Sequence, residues 1–285
     1  MLVSWTTWLL LTPPLLLAGV VLAQRAFTVV FLLGAHLHFW RYMRFKGRSV
    51  PHGGLRLLRY WWLESQAMTW LTWWRLRQIL RLDVLDTDHT HDHAPVLGIH
   101  GYTQNASNFW GLRRMLHDDG RASHAVDLGL PFMGIESYTT AVRGGIDHLL
   151  EQHPHERIDI VCHSMGGLVL RHLLAEDPDL AKRIRRVVTL GSPHHGTAAS
   201  RGMFAMGKDA KQMKRNHTFT NTLPHLHESA PHVEHVAICA QQDYIVYPRE
   251  TSLPEGANHV VLPNPGHAGL LVSKCSLQAI MRALS

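Results

Sequence analysis

Hydrophobic side chains are almost continuous at the start of the chain. From residue 5 to residue 40 the only formally charged side chain is Arg25. A helix crosses a bilayer with about 20 apolar residues, so this stretch is long enough to do so. Pro13 and Pro14 should break or kink the helix early, because proline lacks a backbone N–H and clashes with the preceding turn. The pattern predicts a membrane-spanning helix over about residues 15–40, or two shorter hydrophobic helices separated near Gln24 and Arg25.

Beyond residue 94 the hydrophobic pattern changes to short apolar runs separated by longer amphipathic stretches. Strands are predicted at residues 96–100, 124–128, 158–163, 186–190, 235–240 and 259–262. Helices are predicted at residues 107–117, 137–153, 165–176, 203–214 and 269–283. Strands that alternate with helices form βαβ units, which build a mostly parallel sheet with helices on both faces. Residues 94–285 are therefore predicted to form one α/β domain.

The region between these two parts combines aromatic and basic residues. Residues 55–82 interleave tryptophan and tyrosine with arginine, a mixture that is typical of an amphipathic helix at a membrane interface. The alternative is a helix packed on the following domain with its arginines outward. A polar, histidine-rich linker follows, in which His89, His91 and His93 are candidate metal ligands; we favour a solvated linker and expect no metal. Residues 49–93 thus form a second segment.

A cleaved signal peptide is the main alternative to a retained anchor over residues 1–48. Val21-Leu22-Ala23 precedes a possible cleavage site. However, no lysine or arginine precedes the apolar run, and the chain stays hydrophobic beyond that site, so we favour the anchor. The basic residues at positions 41–48 prefer the cytoplasm. We expect the membrane to be a bacterial-type inner (plasma) membrane. If the chain crosses it once, the following domain lies on the cytoplasmic side.

Charge is divided unevenly along the chain. The formal net charge is +6. Residues 1–82 contain ten Lys and Arg and one acid, Glu64, whereas residues 83–285 contain 18 basic and 21 acidic residues. Eight of the nine tryptophans also lie within residues 1–74. This distribution indicates contact with a membrane lipid surface through residues 1–82, and it disfavours a nucleic-acid partner.

One strand–turn–helix segment carries the signature of a nucleophile. The apolar strand at residues 158–163 runs directly into Ser164, and Met165, Gly166 and an apolar helix follow. A sharp turn of this kind holds a serine hydroxyl above the sheet, and the helix N-terminus beneath it favours an oxyanion. Cys162 stands where the usual Gly-x-Ser-x-Gly pattern has its first glycine. As a nucleophile it would lie two residues before the turn, so we favour Ser164.

A serine nucleophile needs a base, and that base needs a third group to orient it. Asp243 follows the strand at residues 235–240, and His267 follows the strand at residues 259–262. The carboxyl ends of parallel strands meet at one edge of the sheet, where open sheets place their sites. We therefore predict Ser164, Asp243 and His267 as a catalytic triad.

The loop after the first strand of the domain supplies the expected oxyanion hole. His100, Gly101 and Tyr102 follow that strand, and Gly101 allows a close approach of the backbone. The backbone N–H of Tyr102 is predicted to face that of Met165 across the oxyanion. His163 and Gly166 are predicted to support the turn around Ser164.

The matching segments together resemble one known family. They are His100-Gly101, the run from Asp159 through His163-Ser164-Met165-Gly166-Gly167, the segment Pro193-His194-His195-Gly196-Thr197, Asp243, and Gly266-His267. Over residues 94–285 the chain resembles lipases and esterases of the α/β-hydrolase family. The resemblance implies that fold and the hydrolysis of carboxylic esters through an acyl-enzyme, with no metal or organic cofactor. His194 and His195 are interpreted as structural.

The leading hypothesis is a membrane-anchored serine hydrolase that cleaves acyl lipids or other apolar esters. An acyltransferase would use the same triad, and a membrane-anchored binding protein with an inactive hydrolase fold is the non-catalytic alternative. Residues 200–227 form a long connection that is either a lid or acyl-chain wall or an ordinary helix packed on the sheet. The three cysteines, Cys162, Cys239 and Cys275, cannot all pair, and buried thiols are expected. Nothing in the pattern predicts the oligomeric state.

Overall fold

The computed structural model describes residues 5–47, 54–81, 93–154, 157–200 and 206–285. The candidate metal ligands His89 and His91 lie outside these ranges, as does the first part of the helix predicted at residues 203–214.

Within the described ranges, six parallel strands form the central sheet, as the alternating pattern predicts. They are β1 (Val96–Ile99), β2 (Ser123–Val126), β3 (Ile158–His163), β4 (Ile184–Leu190), β5 (Glu234–Ala240) and β6 (Asn258–Leu262). Their order across the sheet is β2-β1-β3-β4-β5-β6. β3 and β4 lie at its centre, and every residue of β3 is buried, which explains why that segment is an unbroken apolar run.

Helices cover both faces of the sheet. Those of the α/β domain are α3 (Trp110–Asp118), α4 (Thr139–Gln152), α5 (Gly166–Glu176), α6 (Pro178–Ala181), α7 (Gly207–Gln212), α8 (Thr218–Thr222), α9 (Leu226–Ser229), α10 (Gly269–Val272) and α11 (Lys274–Leu284). The helix predicted at residues 269–283 is therefore two helices. They separate at Ser273, whose extended backbone and side chain cap the N-terminus of α11.

A single N-terminal helix, α1 (Trp5–Phe45), replaces the broken arrangement that the prolines suggested. The helix does not break at Pro13 and Pro14, and the alternative of two short helices is wrong. A proline removes one hydrogen bond, but a long apolar helix keeps the others. Residues Leu22–Phe45 are long and apolar enough to cross a membrane. Arg25 is covered by the next helix, because its guanidinium donates to Gln66 and lies over the ring of Trp62.

The second helix, α2 (Leu55–Ile79), packs on the α/β domain along one stripe. Tyr60, Glu64, Ala67, Leu71 and Trp74 are buried at alternating spacings of three and four residues. The opposite face exposes Leu58, Trp62, Trp70 and Trp73. The packed arrangement that the sequence left as an alternative is thus present, and an exposed aromatic face accompanies it.

The packing of α1 and α2 brings both helices to the carboxyl edge of the sheet. Phe39 of α1 contacts Tyr244 and Tyr247 in the loop after β5, with ring centroids 4.7 and 5.1 Å apart. Trp74 of α2 joins the buried cluster that lies beneath α3 and α11. The two N-terminal helices therefore contact the loops on which the candidate site residues lie.

Candidate active site

Ser164 lies in a strained turn between β3 and α5. Its φ is +52°, in the left-handed region that non-glycine residues rarely occupy, and its N–H donates to the carbonyl of Leu190 at 2.9 Å. A Cβ atom on Gly166 would overlap the carbonyl oxygens of Ile99 and His100. The absence of a side chain at position 166 therefore lets the end of β1 approach the turn. This is the geometry expected of a nucleophile elbow.

Asp243 and His267 form a direct hydrogen bond. Nδ1 of His267 lies 2.7 Å from Oδ2 of Asp243, and both residues are buried. The other oxygen of Asp243, Oδ1, accepts hydrogen bonds from the N–H groups of Ile245 and Val246 at 2.8 and 2.7 Å. With its Nδ1–H donated to the carboxylate, His267 carries its free lone pair on Nε2.

The environment of His267 raises its pKa above the ordinary value. Burial acts in the opposite direction and lowers the pKa, but the charge and hydrogen bond of Asp243 and the charge of Glu64 together outweigh it. The carboxylates therefore favour the imidazolium that would form if this histidine accepted a proton.

Ser164 and His267 line one cavity of about 340 Å³ at the carboxyl edge of the sheet. Its walls come from both the N-terminal helices and the α/β domain. Apolar wall residues include Phe31 and Leu32 of α1, Met68 and Leu71 of α2, and Met213 and Val246. The structure thus brings the predicted nucleophile and base to a common, mainly apolar space.

The loop after β1 borders the same cavity. Tyr102 lines it, and a Cβ atom on Gly101 would lie 2.8 Å from Cβ of Ser164. Among the residues that the structure describes, no hydrogen-bond acceptor is found for the N–H of Tyr102 or of Met165. His100 holds the loop, because its Nε2 accepts from the N–H of Leu128 at 3.0 Å. Burial lowers the pKa of His100, which favours this neutral, accepting form.

His163 connects the candidate nucleophile to two neighbouring loops. Its Nδ1 lies 2.8 Å from Oε1 of Gln104, and its Nε2 lies 3.1 Å from the carbonyl of His267. Burial lowers the pKa of His163 well below its ordinary value, so the ring is neutral and donates to one of these acceptors at a time.

Sequence reasoning missed two residues at this site. Gln104 accepts from the N–H of Gly101 at 2.8 Å and thereby orders the loop that carries Tyr102. Glu64 of α2 lies in the cavity wall beside His267. The spacing of Gln104 offers no signal, whereas Glu64 has one: it is the only acid in residues 1–82 and falls within an apolar helical stripe.

Other candidates occupy structural positions. Cys162 is fully buried in β3, and burial raises the pKa of its thiol, which keeps it protonated and poorly nucleophilic. His194 is fully buried, where its Nε2 lies 3.2 Å from the hydroxyl of Thr189 and its carbonyl accepts from Arg171. Within the described ranges, no group of three or more potential metal ligands converges.

The long connection after β4 contributes part of the cavity wall. In its described part it contains the short helices α7, α8 and α9 in place of one helix. Met213 lines the cavity, and the hydroxyl of Tyr102 donates to the carbonyl of Met206 at 2.8 Å. This connection is therefore tied to the candidate oxyanion loop.

Comparison with known proteins identifies the fold of the α/β domain. A family described as a domain of unknown function (DUF7379) matches residues 142–236. The mature lipase BlEst2 of Bacillus licheniformis is similar, with a TM-score of 0.60 and 13% identity over 70% of this chain and 96% of the lipase. The chain has the α/β-hydrolase fold. The fold expected from the sequence is thus confirmed.

Two further structures support the same assignment of the fold. Lipase B of Aspergillus fumigatus gives a TM-score of 0.57 at 17% identity, with 69% of this chain and 53% of the lipase covered. The metagenomic carboxyl esterase MGS0156 gives a TM-score of 0.56 at 16% identity, with 68% of this chain and 76% of the esterase covered. This chain spans about half the length of the Aspergillus lipase.

Proposed function

We propose that this protein is a serine hydrolase that cleaves carboxylic esters with apolar acyl groups through an acyl-enzyme. The observation that carries the proposal is the strained turn at Ser164, which shares a cavity with a histidine that is hydrogen-bonded to Asp243. This combination supplies a nucleophile, a base and an orienting carboxylate. The lipase and esterase neighbours are consistent with it.

The proposed reaction begins with attack of Ser164 Oγ on the ester carbonyl carbon while Nε2 of His267 takes the hydroxyl proton. Asp243 keeps the other imidazole proton on Nδ1 and stabilises the imidazolium. The N–H groups of Tyr102 and Met165 hold the tetrahedral oxyanion, and each such donor typically contributes about 3–4 kcal/mol. The C–O bond to the alcohol then breaks, and His267 protonates the leaving alcohol. Water repeats the sequence and releases the acid.

The cavity wall supports an apolar acyl group as the preferred part of the substrate. Side chains from α1, α2 and the connection after β4 line the space beside Ser164, and most of the lining surface is apolar. Burial of an acyl chain against such a wall gains about 0.8 kcal/mol per methylene group. We therefore expect medium or long acyl chains to be preferred over acetyl esters.

We propose further that α1 and α2 hold the protein at a lipid bilayer. Phe27, Val30, Leu33 and Leu37 are exposed on α1, and the exposed apolar residues of α2 include Leu58, Trp62, Trp70 and Trp73. The sequence flanking this surface is basic, which suits anionic lipid headgroups. The basic residues at positions 41–48 favour the cytoplasmic side of a plasma membrane, as the sequence predicts.

A fluorophosphonate probe and a chain-length series of p-nitrophenyl esters test the proposal on the full chain in detergent. The protein should react with the probe at Ser164, and Ser164→Ala should abolish both labelling and ester turnover with an unchanged circular dichroism spectrum. Ser192→Ala is the matched control, because it removes a buried hydroxyl outside the proposed triad. A folded protein without labelling or turnover would leave the binding-protein alternative, and transfer of the acyl group to an added alcohol would identify an acyltransferase.

A further inference from the structure

Glu64 is a buried carboxylate for which the reaction proposed above has no role. Only 3% of its surface is exposed, and it lies in the stripe of α2 that packs on the α/β domain. Both of its oxygens accept hydrogen bonds from backbone N–H groups. Oε2 accepts from Ala268 at 3.0 Å, and Oε1 accepts from Gly269 at 2.9 Å. These are the two residues that follow His267.

The absence of a side chain at Gly266 leaves room for the Glu64 carboxylate beside the loop that carries His267. A Cβ atom on Gly266 would overlap the carboxyl group of Glu64, so only glycine at position 266 permits the observed approach. The carboxylate thus lies against the residues on both sides of His267. Buried carboxylates need such partners, because desolvation of an unpaired charge is costly.

We propose that Glu64 is a positioning residue of the active site, which holds the His267 loop through two backbone hydrogen bonds and stabilises the imidazolium with its charge. The inference rests on the proposed function, since it assigns Glu64 to the same site. It also makes α2 part of the proposed active site. One face of this helix exposes Trp62, Trp70 and Trp73, and the opposite face holds the loop that carries His267.

The electrostatic surroundings agree with this role. Burial raises the pKa of Glu64 to about 7, although the N–H groups of Gly269 and Ala268 and the charge of His267 counteract the rise. The ionisable groups that face Glu64 are Tyr60 on its own helix, Asp243 after β5 and His267 after β6, and Tyr60 in turn faces Tyr244. His267 also faces Asp243 and His163. Above about pH 7 the carboxylate is therefore ionised.

The sign of the expected pH effect follows from the charge. The Glu64 carboxylate raises the pKa of His267, so Glu64→Gln should lower it. A general base must be neutral to act, and the acid limb of kcat/KM reports its pKa in the free enzyme. The limb should therefore move to lower pH in the Glu64→Gln variant. A residue with only a structural role would not move it.

The test compares Glu64→Gln, Glu64→Asp and Glu234→Gln in the full chain, with ester kinetics from pH 5 to pH 9. Glu64→Gln should lower kcat by about 10- to 100-fold, since a hydrogen bond to a charged group is lost, with KM changed by less than about threefold. Glu64→Asp keeps the charge but shortens the reach, so its limb should stay near the wild-type position while kcat is intermediate. Glu234→Gln removes the same charge from an ion pair with Arg186 at the start of β5, so it should behave like wild type.

A second measurement separates this proposal from the proposed function. NMR titration of the His267 ring, assigned with a His267→Gln variant, reports the pKa of His267 whether or not the protein is active. A lower pKa in Glu64→Gln supports the role of Glu64 even if no ester is cleaved. An active wild-type enzyme whose rate and acid limb are unchanged in Glu64→Gln overturns it, and so does a loss of rate without movement of the limb. If Glu64→Gln does not fold, wild-type kcat in Glu64→Asp overturns the positioning role.

Discussion

Asp243→Asn should separate the two roles that the oxygens of Asp243 have in the structure. Oδ1 accepts from the N–H groups of Ile245 and Val246, and Oδ2 accepts from Nδ1 of His267. An asparagine must place its carbonyl oxygen on the two N–H groups, because an NH₂ group there would face two donors. The NH₂ group then points at Nδ1 of His267, which must accept. The imidazole proton moves to Nε2, and the histidine can no longer take a proton from Ser164.

The size of the expected loss in kcat follows from this change of the His267 tautomer. We expect kcat to fall by about 10⁴-fold, equivalent to about 5.5 kcal/mol of transition-state stabilisation. The loop after β5 keeps both hydrogen bonds but loses the charge of their acceptor, so the free energy of unfolding should fall by only about 1–3 kcal/mol. Asp243→Ala removes both oxygens, and it should cost more stability for a similar loss of rate.

Ester turnover, fluorophosphonate labelling and urea unfolding of the full chain in detergent measure these quantities. We expect a folded Asp243→Asn protein with almost no labelling. If that variant keeps its fold and retains kcat within tenfold of wild type, then His267 does not depend on Asp243 for its tautomer, and the proposed mechanism is wrong.

Two further predictions concern packing and membrane contact. Gly166→Ala would force a methyl group into two carbonyl oxygens at the end of β1, so it should lower the free energy of unfolding by about 1–3 kcal/mol or more and abolish labelling. Gly144→Ala, in the interior of α4 where a Cβ meets nothing within 4 Å, should instead raise the free energy of unfolding by up to about 1 kcal/mol in the same urea titration and leave labelling unchanged. Replacing Trp62, Trp70 and Trp73 with serine should reduce hydrolysis of a vesicle-borne ester at least about tenfold while hydrolysis of a short soluble ester is unchanged. Equal loss on both substrates would indicate damage to the site, and no loss on either would contradict the bilayer contact.

Local sequence signals were sufficient for the α/β domain. Each strand is a short apolar run, the central strand β3 is buried along its whole length, and each candidate site residue follows such a run. Parallel pairing then brings Ser164, Asp243 and His267 to one edge, because the loops at the carboxyl ends of parallel strands emerge on the same side. The nucleophile turn is also local, since a strand, a serine and small residues within a few positions specify it.

The role of the N-terminal segment could not be read from the same signals. Its composition indicates membrane contact, but composition does not distinguish a helix lying free at a membrane from one that also packs on the domain. The prolines suggested an interruption that the long apolar helix does not have. Whether α2 buries its stripe depends on the shape of the loops after β5 and β6, which lie more than 150 residues further along the chain.

The sequence by itself therefore determined the order of strands and helices, the turn at Ser164 and the edge of the sheet at which the site lies. Only the tertiary structure decided that Gln104 orders the loop carrying Tyr102, and that Glu64 meets the backbone beside His267. The physical reason is the range of the interactions involved. Hydrophobic periodicity and turn chemistry act over a few residues, whereas the contact between Glu64 and Ala268 joins positions 204 residues apart and exists only because α2 packs at one angle on the finished domain.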